Sequence, residues 1–385
     1  MQHFYSVVLL ILTIALPNIA IASDTQSKYY SVKVSPDGKH LGVTMDIEDK
    51  KTLAFFNLES KEWVGGAKLP RLSEVGEFHW ANNERVIMTV MKAEAWRKEA
   101  IYYGELFAQN IDGTKAQMIY GYRSLYERKA LGAGSKFKKK ERTDGTAHII
   151  DLLPDDERTI LISSTLWPES SRPWDTRWKD YGKRLAAVYK LDIYNAQFSK
   201  KRIAGGPVPY STFLTDNNGQ LRIAFGKEVQ SELYVKNAED WQHIPASTFG
   251  NNVTPIAINA AGTHLITLDD KQGQLSLYQF NLTDNSYQLL LDDNEKVINA
   301  EKTKDTDQVY AAKLAGDKTR YIMLNEDSTE AQVFKNLLAV FPEKSVNITS
   351  KNSAANLYIV EVTSAESKTK YYIYNLTTNK LSLFG

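Results

Sequence analysis

The chain has 385 residues, 43% hydrophobic and 24% charged, which places it among globular proteins with ample length for a large core. Lys+Arg 47 against Asp+Glu 46 leaves a formal net charge of +1, so global electrostatics gives no reason to expect nucleic acid as a partner. Cysteine is absent, which excludes a disulfide framework, cysteine-ligated zinc, a cysteine nucleophile and a lipoprotein anchor.

The first 22 residues read as a signal peptide. Residues 7–16 are apolar save Thr13, Pro17-Asn18 follows, and Ala20-Ile21-Ala22 is a small-x-small cleavage pattern before Ser23. The apolar run is about half of the roughly 20 residues a spanning helix needs, so export to the periplasm is expected, with no stable membrane span once the signal is removed. An uncleaved N-terminal anchor is the alternative; residues 1–16 contain no Lys or Arg.

Residues 29–64 set the pattern for the rest. An alternating strand at 30–34 stops at Ser35-Pro36-Asp37-Gly38, where Pro presets φ and Gly supplies a positive one. A second strand (40–45), a polar loop, an apolar third strand (52–58), a turn and a short fourth strand (62–64) follow. Similar units recur with turns at Ala81-Asn82-Asn83-Glu84, Asp112-Gly113-Thr114, Pro154-Asp155-Asp156-Glu157, Asp216-Asn217-Asn218-Gly219, Ala260-Ala261-Gly262 and Thr377-Thr378-Asn379.

The fold expected is all-β: a β-propeller of seven four-stranded blades near 29–71, 74–120, 146–204, 207–246, 252–292, 295–336 and 337–385. A lone four-stranded sheet cannot bury both faces, whereas sheets stacked around an axis cover one another. The sixth block is the least regular, with 331–334 as its fourth strand, and no segment past the signal shows a helical period over ten or more residues.

In up-and-down blades, the loops from strand two to strand three share a face with the links to the next blade. The long insertions, 92–103, 121–145 and 166–183, all belong to that set and project from one face, over blades two and three. Long loops on a rigid scaffold are where function usually sits. The segment 121–145 carries Lys136, Lys138, Lys139, Lys140 and Arg142 against Glu141. It reads either as a docking strip for an acidic partner or anionic headgroups, or as a solvated loop. The segment 166–183 carries Trp167, Arg172, Trp174, Arg177, Trp178 and Tyr181. It reads either as a contact surface for peptide or a partner, or as a loop folding back to cap the ring.

Catalytic signatures are scarce. Gly-x-Ser-x-Gly, His-Glu-x-x-His and Gly-rich phosphate loops do not occur. His40, His79, His148, His243 and His264 fall in or beside expected strands, and Asp155-Asp156 and Asp292-Asp293 read as turn residues. No catalytic residue, cofactor or metal site is therefore expected.

The segments Trp80-Ala81-Asn82-Asn83-Glu84-Arg85-Val86 and Gly104-Glu105-Leu106-Phe107-Ala108 with Asp112-Gly113 resemble the early propeller of bacterial prolyl oligopeptidase-type serine peptidases, the dipeptidyl aminopeptidase and acylaminoacyl-peptidase-like branch. Asp151-Leu152-Leu153-Pro154-Asp155-Asp156, Val188-Tyr189-Lys190-Leu191-Asp192-Ile193 and Phe213-Leu214-Thr215-Asp216 with Gly219-Gln220-Leu221-Arg222 are similar to its third and fourth blades. In that family an α/β-hydrolase domain carrying Ser, Asp and His follows the propeller, and none of its catalytic positions has a match here. The resemblance implies an exported, truncated, non-catalytic propeller that filters peptide access, with a peptide or a hydrolase domain as partner and no peptidase activity of its own. The alternative is a stand-alone periplasmic scaffold for protein–protein interaction, similar to the propeller of the Tol system.

Overall fold

The computed structural model describes residues 29–124, 144–167, 184–196, 200–227, 231–291, 296–364 and 369–385. Seven antiparallel sheets, each built from consecutive strands, form a seven-bladed propeller. Blade one is β1 (Tyr29–Val34), β2 (His40–Ile47), β3 (Lys50–Asn57) and β4 (Glu62–Gly66). Blade two is β5 (Ser73–Trp80), β6 (Arg85–Lys92), β7 (Ile101–Asn110) and β8 (Gln117–Tyr120). Blade three is β9 (Gly145–Asp151), β10 (Thr159–Leu166), β11 (Leu185–Asp192) and β12 (Lys200–Pro209). Blade four is β13 (Thr212–Thr215), β14 (Leu221–Lys227), β15 (Ser231–Asn237) and β16 (Asp240–Ile244). Blade five is β17 (Thr254–Ile258), β18 (His264–Asp269), β19 (Ser276–Asn281) and β20 (Tyr287–Leu289). Blade six has three strands, β21 (Val297–Lys302), β22 (Val309–Leu314) and β23 (Arg320–Met323), followed by helix α1 (Thr329–Val340). Blade seven is β24 (Ser345–Lys351), β25 (Leu357–Thr363), β26 (Lys370–Asn375) and β27 (Lys380–Phe384).

Helix α1 corrects the expectation of a strand at 331–334 and of no helix past the signal. Ser328 caps it, its hydroxyl accepting from the Ala331 amide at 3.1 Å. Ala331, Phe334 and Leu337 recur at helical spacing and are buried with Tyr310, Ile348, Tyr358 and Val360, so the apolar stripe packs between sheets six and seven.

The turns behave as their chemistry dictates. Gly38 takes φ +76° and its N–H donates to the Ser35 carbonyl, while the Ser35 hydroxyl donates to Asp37. Buried apolar residues form seven clusters among the described residues, one at each junction between neighbouring blades. At the junction of blades one and two, Leu53 and Phe55 pack against Val75 and Phe78. The cluster uniting blades seven and one (Val32, Val34, Leu41, Val43, Ile359, Tyr371) closes the ring. Among the described residues no strand is exchanged there. Instead, the Val34 amide donates to Ser350, the Thr349 hydroxyl to the Val32 carbonyl and the Tyr371 hydroxyl to the Tyr30 carbonyl, at 2.7–2.8 Å. First strands of neighbouring blades approach one another (β1 and β24, β9 and β13), which places them innermost.

Candidate docking face

Strand direction divides the ring into two faces. One, the turn face, carries the connections from first to second strands and from third to fourth. The other, the loop face, carries the remaining connections, the start of β1 and the end of β27. Tyr29 and Phe384 meet there, ring centroids 5.3 Å apart.

The loop face is where the exposed apolar side chains gather. Among the described residues six large apolar side chains are more than half exposed: Trp96 at 77%, Tyr210 at 58%, Leu72 at 56%, Val340 at 55%, and Tyr30 and Leu185 at 51%. Each lies in a loop-face connection or at a strand or helix end on that face. Leu72 and Tyr210 also hold left-handed backbone, φ +59° and +56°. This conformation costs a non-glycine residue about 1 kcal/mol and is seldom kept without a structural or functional reason.

Blade two braces the most exposed of these. The Ala93 amide donates to the Leu72 carbonyl (3.1 Å), Lys92 pairs with Glu94 at 2.9 Å, and the Arg97 amide closes a turn onto the Glu94 carbonyl (3.0 Å). The Glu94 carboxylate holds the Lys92 ammonium above its usual range. Trp96 sits on that turn.

Beneath the surface is a buried ion pair. Glu105 is fully buried and accepts from the Arg123 amide (3.1 Å) and Nε (2.7 Å), while Arg123 Nη1 donates to Ser73 at 2.8 Å. Gly121, at φ +117°, makes the approach feasible, because a Cβ there would fall 2.5 Å from Glu105 Cγ. Beside it, Trp167 Nε1 donates to Thr146 (3.0 Å), and the Tyr122 and Trp167 rings lie 5.6 Å apart. Burial raises the Tyr122 hydroxyl, the largest influence on it.

Of the aromatic and arginine residues singled out from the sequence, Trp167 is thus a half-buried support at the edge of blade three. Arg172, Trp174, Arg177, Trp178 and Tyr181 lie outside the described residues, as do Lys136, Lys138, Lys139, Lys140 and Arg142, and the cleavage pair Ala22 and Ser23. Sequence reasoning did not single out Leu72, Trp96 or Tyr210. Trp96 sat inside a noted insertion and could have been found as a lone Trp among polar residues. The five strand histidines lie in strands. No helix among the described residues is long and apolar enough to cross a membrane, and no cluster of three metal-ligating side chains occurs among them.

No protein-family profile and no curated protein matches the chain. Solved structures do. A prolyl endopeptidase superposes with a TM-score of 0.55 at 10% identity, covering 93% of this chain and 50% of its own. Prolyl oligopeptidase B from Galerina marginata gives 0.52 at 10% identity, with 92% and 50% covered. The likeness is one of fold, and the chain spans about half the length of these proteins.

Proposed function

We propose that this chain is an exported, non-catalytic propeller of prolyl oligopeptidase type. Its loop face docks an α/β-hydrolase domain, and the ring limits which peptides reach that domain. The observation that carries the reading is the placement of the six strongly exposed apolar residues found among the described residues on the face that also carries the 92–103 insertion, the start of β1 and the end of β27. Exposed Trp, Tyr and Leu side chains gathered on one face, with Leu72 and Trp96 on braced backbone, suit a protein partner. Support also comes from the shared fold with peptidases about twice as long. Export rests on the apolar run at 7–16 and the Ala20-Ile21-Ala22 pattern.

Cross-linking mass spectrometry in the native host tests it. Links from Lys92 and Lys98 on the loop face to a protein carrying an α/β-hydrolase Ser-His-Asp set are expected. Links confined to turn-face lysines such as Lys39, or only to proteins without that set, would replace this reading with the scaffold alternative.

A further inference from the structure

Among the described residues, blade six is the one sheet that ends on its third strand. The sequence turns away where a fourth strand would begin. The Asp327 amide donates to Asn325 Oδ1 (2.6 Å), and Ser328 then caps α1. The helix follows β23 in the chain but does not lie alongside it. Its backbone approaches β24, and it meets β23 through side chains, with the Phe334 and Tyr321 rings 5.1 Å apart.

β23 pairs with β22 on one side only, Met323 opposite Ala311, Ile322 opposite Ala312 and Tyr321 opposite Lys313. The Leu324 amide donates to the Tyr310 carbonyl (2.8 Å), which fixes the phase of the ladder. Antiparallel strands alternate bonded and non-bonded pairs, so Ile322 and Leu324 turn their N–H and C=O groups towards β22, and Tyr321 and Met323 turn theirs outward. Those outward groups have no hydrogen-bond partner among the described residues. They make one repeat of an open ladder, about 7 Å long. The edge is held firmly. The Tyr321 hydroxyl accepts from the Val346 amide (3.1 Å) and donates to the Val346 carbonyl (3.0 Å). Met323 packs on the cluster that contains Phe334, and Ile322 packs on the opposite side, towards blade five. Tyr321-Ile322-Met323 carries no charge, no Pro and no bulge, the features that blunt an edge.

We propose that the outer edge of β23 takes an extended peptide segment, added antiparallel as a fourth strand of blade six. An open ladder recognises extended backbone, whatever its sequence. Two residues of the segment, at i and i+2, exchange both bonds with Tyr321 and Met323. Their side chains fall on the Tyr321 and Met323 side of the sheet, against the cluster that α1 shares, so apolar residues fit there. The residue between them faces the Ile322 side. The flanking blades set the length, since β20 and β27, the fourth strands of blades five and seven, have three and five residues. The site is on the outer rim of the ring and does not depend on hydrolase docking at the loop face.

Amide hydrogen exchange and amide chemical shifts of the chain, with and without acetyl-Lys-Val-Thr-Val-Lys-amide, test it. In the free chain, Tyr321 and Met323 are expected to exchange far faster than Ile322 and Leu324, which are bonded to β22. Saturation with the peptide is expected to shift both outward amides and slow their exchange at least about tenfold. The same peptide N-methylated at both valines cannot donate to the Tyr321 and Met323 carbonyls and should do neither. Met323→Pro removes an outward N–H and no bond to β22, so the blade is kept while peptide affinity falls at least about tenfold. Protected Tyr321 and Met323 amides in the free chain, peptide-induced shifts confined to other residues, or equal effects from the methylated peptide would each overturn the proposal. Protection that rises with protein concentration would also overturn it, by assigning the edge to a second copy of this chain. Should Met323→Pro not fold, the comparison of the two peptides decides.

Discussion

Arg85 on blade two reaches across to blade three and donates from both Nε (3.2 Å) and Nη2 (2.7 Å) to one acceptor, the carbonyl of Ile193. Its Nη1 donates to Asn110 Oδ1 (2.9 Å) and the Lys115 carbonyl (3.2 Å), and its guanidinium lies 4.5 Å from the Tyr194 ring centre. The side chain is fully buried and no carboxylate among the described residues touches it. Burial pulls its pKa down to about 10, with Tyr194 and Asp192 opposing. The charge is thus kept by oriented dipoles and a ring face. Arg85→Met, of similar length, leaves the Ile193 carbonyl and Asn110 short of donors. It should lower unfolding free energy by about 2–4 kcal/mol, read from urea denaturation. A change below about 0.5 kcal/mol, the range of an ordinary surface substitution, would mean the bridge does not hold the two blades.

The Glu105–Arg123 pair makes a sharper test. Glu105→Ala removes the carboxylate from a half-buried guanidinium that keeps its bond to Ser73, and should cost about 1.5–3 kcal/mol. The double replacement Glu105→Leu with Arg123→Leu removes both charges and should cost less than the single change. Equal costs in the same denaturation experiment would show that the charges do not sense each other.

Helix α1 depends on its first turn. Ser328→Ala should cost about 1 kcal/mol and Ser328→Gly only a few tenths, measured by thermal unfolding. The reverse order would mean that the hydroxyl is not the cap.

Asp156 governs part of the acid limb. The Thr159 hydroxyl donates to it, Lys190 pairs with it at 2.9 Å, and these contacts, Thr159 foremost, bring its pKa to about 2. A depressed carboxyl lends stability that is complete above its unfolded value and lost as pH falls through the folded one. Asp156→Asn should therefore flatten the stability profile between about pH 4 and pH 2, with little change in its slope near neutrality. An unchanged slope in that acid window would contradict the assignment.

Blades were legible where turn chemistry is local. Ser35-Pro36-Asp37-Gly38 and Asp112-Gly113 each announce a hairpin, and Gly38 and Gly113 take φ +76° and +80°. The helix was misread because Ala331-Gln332-Val333-Phe334, taken alone, is a short apolar run with a β-branched and an aromatic residue that passes for a strand. Only the wider spacing from Ala331 to Leu337, with Ser328 ahead of it, separates the two periods. That the insertion at 92–103 springs from the loop face followed from strand count alone. The exposed anchors did not, since Tyr210 is a lone apolar residue in a short link and Leu72 shares its link with Leu69, which packs inward instead. Buried charges are hidden for a different reason: Arg85 finds its acceptor 108 positions away, and no local pattern encodes that.

The docking claim is tested most directly by affinity for the hydrolase that cross-linking identifies. Leu72→Asp combined with Trp96→Asp should weaken binding at least tenfold, about 1.4 kcal/mol. Trp63→Asp, equally drastic but on the outer strand of blade one, should leave it unchanged. Equal affinity for wild type and both variants would contradict the account.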